Sequence, residues 1–307
     1  MAVLIPCLNE EVTIGKVVRD FRAALPDATI YVYDNRSTDK TAEIAEAEGA
    51  IVRKEYRRGK GNVVRSMFAD IVADAYVMVD GDDTYLAKEA AQLVQPVLDG
   101  RAHMVVGTRL EEYTDKSFRP LHMFGNNLIR GLINVLFRSN LKDVLSGYRC
   151  FSSDFVRGVP LLAEGFEVET ELTLQALDKG FTIEEIPLPY SDRPPDSYSK
   201  LNTYTDGVLV VGTILMIFKD YRPMSFFGLL GTLIGLLGLA LGSIPIVEFI
   251  QTSSVLHVPT AILATGVVLF ALVCFSTGFI LDTLNRRQKE HYHLVVSERR
   301  RQARRDA

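Results

Sequence analysis

The sequence predicts an α/β protein, a mostly parallel sheet covered by helices on both faces, followed by a two-helix transmembrane hairpin. Three observations predict it. Over residues 1–110, short apolar runs alternate with amphipathic stretches in a βαβαβαβαβ rhythm. The apolar runs end in polar clusters, "PCLNE", "DNRSTD", "DGDD" and "GTR", at the position where open parallel sheets hold ligands. Two later stretches, Phe226–Val247 and Pro259–Leu281, carry no charged residue, and each can span ~30 Å of hydrocarbon.

Taken in order, "AVLIP" reads as a buried strand. Glu11 to Leu25 places Val12, Ile14, Val17, Val18 and Phe21 on one helical stripe. "TIYVYD" is a strand, Thr41–Glu48 a helix, "AIVRK" a short strand and Gly61–Val72 a helix. "AYVMVD" is a strand, Glu89–Leu98 a helix and "HMVVGT" a strand. Over about 120–138 the pattern changes. Leu121, Phe124, Leu128, Leu132, Val135 and Leu136 share one side, and Asn127, Arg130, Asn134 and Arg138 the other. A similar helix covers Tyr204 to Phe218. Beside two membrane spans, both are expected to lie in the interface plane. The expected organisation is an α/β domain over 1–201, a juxtamembrane amphipathic helix over 202–222, membrane helices over 224–250 and 259–281, and a basic tail over 282–307.

Charge supports this division. The tail from Asp282 onward has a balance of +4, against −8 on the rest. Such a tail suits an anionic membrane surface or nucleic acid; next to membrane spans the membrane is expected and nucleic acid is not. Lys219 and Arg222 precede the first span, Arg286, Arg287 and Lys289 follow the second, and the linker from Glu248 to Val258 has no Lys or Arg. The positive-inside rule then puts both ends and the α/β domain in the cytoplasm, with only a short hairpin outside. "MAVLIPCL" has no basic region and too short an apolar core for a signal peptide. Cys7, Cys150 and Cys274 show no paired spacing, which fits a reducing compartment.

The chemistry concentrates at "VDGDD". Asp80 and Asp82 are two residues apart at a strand end, so alternation would send both side chains the same way, with Gly81 permitting the tight exit. Two carboxylates make a hard oxygen site for Mg2+ or Mn2+, with phosphate oxygens as further ligands. A calcium EF-hand is excluded, because Tyr85 and Ala91 stand where its Gly and Glu would be. "RRGKG", Arg57 to Gly61, puts glycines and cations before a helix and could hold a phosphate, but it is neither a dinucleotide fingerprint nor a P-loop. "SGYR" and "SYSKL" each offer a cation beside hydroxyls. "GFEVETEL" brings Glu167, Glu169 and Glu171 together, with Glu167 and Glu171 able to share a helix face.

In this order, "IPCLNEE", "VYDNRSTDKTAEIA", "RRGKGNVVR", "VDGDD", "VVGTR" and "SGYRCF" resemble the family 2 inverting glycosyltransferases, most closely those of the polyprenyl-phosphate and dolichol-phosphate type. The resemblance implies a GT-A catalytic domain, a nucleotide-diphosphate sugar as donor and a polyprenyl phosphate as acceptor. It implies that Pro6, Leu8 and Glu10 line the nucleoside pocket and that Asp34 contacts the base. Asp80 and Asp82, with Gly81 between them, would hold the metal against the donor diphosphate. Lys60 would serve the nucleotide sugar, Arg109 and Arg149 would face donor or acceptor phosphate, and Lys200 would close over the diphosphate from the loop "SDRPPDSYSK". One departure stands out: the family commonly has two adjacent aspartates where this chain has Asp34-Asn35, which leaves nucleobase preference open. A UDP-hexose or UDP-N-acetylhexosamine is the expected donor and GDP-mannose the alternative. A phosphate acceptor, with a second pKa near 6, needs no general base. A processive synthase would carry a Gln-x-x-Arg-Trp motif, and this chain has no Trp. A sugar-1-phosphate nucleotidyltransferase would open with a Gly-rich loop that "LIPCLNEE" lacks. A membrane scaffold that lost catalysis is the non-enzyme alternative. Self-association into a homo-oligomer is compatible with such a chain.

Overall fold

The computed structural model describes residues 1–109, 120–165, 167–191, 212 and 214–306. The chain divides into two compact units, Met1–Gly207 and Val208–Ala307.

The first unit is a seven-stranded sheet in the order β3-β2-β1-β4-β6-β5-β7. The strands are β1 (Ala2–Cys7), β2 (Thr29–Asp34), β3 (Ile51–Lys54), β4 (Ala75–Met78), β5 (Met104–Arg109), β6 (Arg149–Ser152) and β7 (Ile183–Leu188). All run parallel except β6, which is antiparallel to both β4 and β5. Helices α1 (Ile14–Ala24), α2 (Thr41–Ala47), α3 (Lys60–Asp70) and α4 (Ala90–Leu98) occupy the predicted places. Helices α5 (Pro120–Phe137), α6 (Ser153–Gly158) and α7 (Val168–Asp178) complete the unit. Strands β6 and β7 had no counterpart in the sequence reading. β6 is only four residues long, and β7, "IEEIPL", is an edge strand that tolerates Pro187.

Strand alternation builds a core on each face. Val3, Ile5, Val77, Val105 and Cys150 pack with Val17 and Phe21 of α1 and Leu93 of α4. Ala2, Leu4, Tyr76, Met78, Met104, Val106 and Phe151 pack on the other face with Val63, Val64 and Met67 of α3 and Leu172 of α7. The sheet opens at one point. The β1–β4 register runs only from Ala2↔Tyr76 to Leu4↔Met78, closing with Val79 N–H to Leu4 O at 3.0 Å. The next β1 residue facing β4 would be Pro6, which has no N–H to donate. β1 stays paired with β2 as far as Asp34, so its C-terminal end leaves β4 while holding β2.

In α5, Ile129 and Ile133 are buried, whereas Leu128 and Val135 are exposed. Two of the residues on its polar side hold the chain that follows the helix. Asn134 accepts from Leu141 N at 2.9 Å and Ser139 Oγ at 2.8 Å and donates to Leu141 O at 2.9 Å. Arg130 donates to Lys142 O at 3.2 Å. Both close the turn that ends the helix.

The second unit holds α8 (Pro223–Thr252) and α9 (Val258–Asp306), with residues 214–221 also helical. Most of the expected Tyr204–Phe218 helix lies outside the described residues. Helices α8 and α9 each contain a stretch long and apolar enough to cross a membrane. They pack through small residues on α8: Gly231 and Gly235 against Ala271, Gly238 against Val267 and Val268, and Gly242 against Ala264. Small residues let two backbones approach closely where no hydrophobic effect drives association. The connection is closed by the Glu248 carboxylate, which accepts from Leu256 N at 3.0 Å and His257 N at 3.1 Å.

Candidate active site

The polar ends of β1, β2 and β4 are tied together at the opening beside Pro6. Asn9, Arg36 and Asp83 follow these three strands and adopt left-handed backbone angles of 52°, 66° and 59°. Such conformations in non-glycine residues concentrate at functional sites. Thr38 N donates to Asn9 Oδ1 and Asn9 N to Ser37 Oγ, each at 2.8 Å, joining the β1 and β2 ends. Glu10 N donates to Thr41 Oγ1 at 2.8 Å. Thr13 Oγ1 donates to Gly81 O at 2.6 Å, linking the start of α1 to the aspartate turn. A Cβ on Gly81 would stand 2.7 Å from Cys7 Sγ, so the turn lies directly on the end of β1.

The crowded aspartates are compensated one by one. Asp80 forms an ion pair with Lys60. Asp82 is buried and accepts from Thr84 Oγ1 at 2.7 Å and Thr84 N at 3.3 Å. Asp83 pairs with Lys16 at 2.7 Å, and the hydrogen bonds to Asp83 and Asp20 raise the Lys16 pKa. β4 ends at Met78, so strand alternation does not extend to Asp80 and Asp82; the turn and these partners place them. Gly147 packs so tightly on the Asp80 carboxylate that any Cβ there would overlap Oδ2. Among the described residues no group of three or more His, Cys, Asp or Glu side chains forms a closed metal cage. Two carboxylates at an opening fit a hard divalent ion whose other positions are filled by phosphate oxygens and water.

Lys60 begins α3 and sits between Asp80 and Glu169, the latter at 2.5 Å. Burial alone would lower its pKa; the two carboxylates outweigh burial and raise it above the ordinary lysine value. The flanking glycines have a packing role. A Cβ on Gly59 or Gly61 would collide with the carbonyls of Glu164 and Ala163, respectively. The first N–H groups of α3 are also engaged: Gly61 N donates to Gly165 O at 3.0 Å and Asn62 N to Glu164 O at 3.3 Å. The "RRGKG" segment therefore docks on the 163–165 backbone, and those two N–H groups do not point at a phosphate. The other glutamates of "GFEVETEL" hold the same loop. Glu167 accepts from Glu164 N and Gly165 N, and Glu171 from Leu162 N and Ala163 N.

Asp34 is buried at the end of β2 and accepts from Ser37 N at 3.1 Å. Its neighbour Asn35 is a tether. Its amide Nδ2 donates to Glu55 O at 3.0 Å and Arg57 O at 2.7 Å, and its Oδ1 accepts from Gly59 N at 2.8 Å. An aspartate could not donate those bonds, so the departure from two adjacent aspartates has a local structural reason.

Arg109, at the end of β5, donates to both Asp143 oxygens, at 2.8 and 3.0 Å. Burial raises the Asp143 carboxyl, but the Arg109 hydrogen bonds and charge outweigh it and hold it below its usual range. The guanidinium also lies 5.9 Å from the Tyr190 ring centroid. Arg149 is a correction. Its backbone starts β6 opposite Met78 and Val106, at the expected edge. Cross-strand partners project to the same face, and Val106 and Met78 belong to the core under α3 and α7. The Arg149 side chain is accordingly wholly buried. It donates to Ser146 O at 2.7 Å, Val144 O at 2.8 Å and Thr173 Oγ1 at 2.9 Å, bracing the turn that carries Gly147. It does not face a phosphate. Pro6 and Leu8 lie partly buried at the end of β1. Lys200 and "SYSKL" lie outside the described residues.

Sequence reasoning missed Thr13, Asp143 and Tyr85, and it read Asn35 only as a departure from the family pattern, not as a tether. Tyr85 OH accepts from Gly147 N at 3.2 Å, and its ring packs on Tyr148 and Tyr190. No local pattern marks these residues, because each acts on a partner at least 20 positions away.

A family model described as Glycosyl transferase family 2 matches residues 2–158. Glycosyltransferase AglJ of Haloferax volcanii is 30% identical over 92% of this chain and 93% of its own length. The dolichyl-phosphate hexose transferase of the same organism is 26% identical over 72% of this chain and 95% of its own. Among solved structures, glucosyl-3-phosphoglycerate synthase from Mycobacterium tuberculosis, in complex with Mn2+, uridine-diphosphate and glucosyl-3-phosphoglycerate, is 25% identical at a TM-score of 0.57. That likeness covers 71% of this chain and 78% of the other.

Proposed function

The chain belongs to glycosyl transferase family 2, and from that premise we propose that it transfers a hexose or N-acetylhexosamine from a nucleotide-diphosphate sugar, a UDP-sugar by preference, to a polyprenyl phosphate at a membrane surface, with inversion. The observation that carries the reading is the aspartate turn, set on the end of β1 beside the opening at Pro6, in a chain that also carries two membrane-length apolar helices. The relative named for dolichyl-phosphate hexose transfer supports the acceptor, and the related synthase solved with uridine-diphosphate and Mn2+ supports the donor and the ion.

Asp80 and Asp82 would hold Mg2+ or Mn2+, which supplies positive charge to the departing diphosphate. Pro6, Leu8, Glu10 and Asp34 line the nucleoside side of the site, with Asn35 fixing the 55–59 segment beside them. Gly81 lets the aspartate turn lie against β1. Asp143 holds the Arg109 guanidinium in one plane at the end of β5, where it meets the acceptor phosphate. One acceptor phosphate oxygen attacks the anomeric carbon as the bond to the nucleotide β-phosphate breaks, and the nucleoside diphosphate leaves with the electron pair. That phosphate is already ionised near neutral pH, so no side chain need take a proton.

The α/β unit and both ends of the chain are assigned to the cytoplasmic face of the cytoplasmic membrane, on the strength of the basic flanks of the two spans. The test is transfer of radiolabelled sugar from a panel of UDP- and GDP-sugars to undecaprenyl phosphate. Label is expected in the lipid fraction, lost on chelation or in Asp82→Asn and restored by Mg2+ or Mn2+. No label from any donor would refute the transferase reading, and full transfer under thorough chelation would refute the metal.

A further inference from the structure

The Lys60 ammonium bridges one carboxylate of the aspartate turn and one carboxylate of α7, and the two sides of the bridge differ. Toward α7 everything is fixed. Gly59 and Gly61 admit the 163–165 backbone to van der Waals contact, and Gly61 N and Asn62 N bond to its carbonyls. Arg65, one turn later, donates to Leu161 O at 2.7 Å and Ala163 O at 3.1 Å. Glu169 is buried, its side chain 7% exposed. Toward the site the partner is Asp80, 27% exposed at the opening. Lys60 itself is too enclosed, at 11%, to move its charge into water. Two carboxylates share one ammonium, so the cluster is one positive charge short of neutral.

We propose that Lys60 is the cation that holds Asp80 until a divalent ion takes that carboxylate, and that Glu169 is the anchor that keeps Lys60 paired when Asp80 is given up. This rests on the assignment of Asp80 and Asp82 to a metal. Lys60 and the ion then compete for one carboxylate, and Glu169 sets how firmly Lys60 competes. Lys60 and Glu169 are positioning residues in this scheme; neither ligates the ion.

The test is binding of Mn2+ alone to the full-length protein in detergent, read from the electron paramagnetic resonance signal of free Mn2+, with no nucleotide and no turnover. Lys60→Met is expected to bind Mn2+ about 5-fold tighter or more, the lower end of ordinary coupling between two sites. Glu169→Gln is expected to bind more weakly, because Lys60 is left with Asp80 alone. In the double variant the Glu169 effect should vanish, since the residue acts only through Lys60. Near-UV circular dichroism checks folding, and Lys60→Gln replaces Lys60→Met if the latter does not fold. An equal Glu169 effect with and without Lys60, or unchanged affinity in the Lys60 variants, would overturn the proposal while leaving the metal site intact. A wild type that binds no Mn2+, or binds it as well after Asp80→Asn with Asp82→Asn, would instead overturn the metal assignment and this inference with it.

Discussion

Asn35→Asp exchanges one heavy atom, an amide nitrogen for an oxygen, and should be among the more damaging single changes in the first unit. The wild-type amide donates at 3.0 and 2.7 Å to the carbonyls of Glu55 and Arg57 and accepts from Gly59 N at 2.8 Å, in a residue only 4% exposed. A carboxylate keeps the accepted bond and loses both donated ones, at ~1 kcal/mol each. It also leaves two carbonyls facing a buried negative charge, which adds ~1–2 kcal/mol. The cost near neutral pH is about 3–4 kcal/mol, or about 6–16 °C in Tm for a unit of this size. Burial and the facing carbonyls raise the pKa of the new carboxyl in the folded state. A raised folded-state pKa means that the variant binds more protons folded than unfolded, so its stability falls as pH rises from the unfolded carboxyl pKa to the folded one. The measurement is thermal unfolding of the full-length protein in detergent, by near-UV circular dichroism at pH 5 and pH 8. The deficit against wild type should be larger at pH 8. An unchanged Tm, or a larger deficit at pH 5, would refute the tether and return Asn35 to the nucleobase.

Arg149→Ala should cost about 3–5 kcal/mol, because it strands three buried acceptors and leaves a cavity; Arg149→Lys should not restore stability, and any folded fraction should keep its KM for the lipid acceptor. A stably folded Arg149→Ala with a raised acceptor KM would contradict the buried brace. Hydrogen bonds from Arg57, helped by Ser66, hold the Glu55 carboxyl at about 2 against burial. Its stabilisation is therefore present above the ordinary glutamate pKa of ~4.3 and lost as pH falls through about 2. Glu55→Gln should flatten the acid limb of a stability–pH curve by ~2 kcal/mol, discounted because Arg57 is largely exposed. In the hairpin, Gly238→Leu should lower the Tm of the detergent-solubilised protein, since a Cβ there would stand 2.7 Å from Val268 Cγ2. Gly266→Leu, with nothing within 4 Å, is the control expected to leave it unchanged.

The sequence by itself determined the elements whose pattern is local. The apolar runs of β1, β2, β4 and β5, the stripe on α1 and the two charge-free stretches are periodicities legible within a dozen or two residues, and the matching elements stand where the pattern put them. The order of motifs along the chain likewise identified the family. Only the tertiary structure decided what the charged and amide groups do. β6 enters antiparallel between β4 and β5, which brings the Arg149 backbone to the expected edge, and its pairing with Met78 and Val106 turns the side chain into the core. Asn35 reads as a missing carboxylate in one dimension and as a three-way clamp in three. Glycines that resemble a phosphate loop are the contact surface for residues 163–165. Lys60, Asp80 and Glu169 are separated by 20 and 89 positions along the chain, yet one ammonium joins them. Periodicity reports which face of an element is buried; it carries no information about which distant partner meets a polar side chain there. That choice is made by strand order and helix packing, because a buried charge or amide must find its complement among whatever groups the fold brings within ~3 Å.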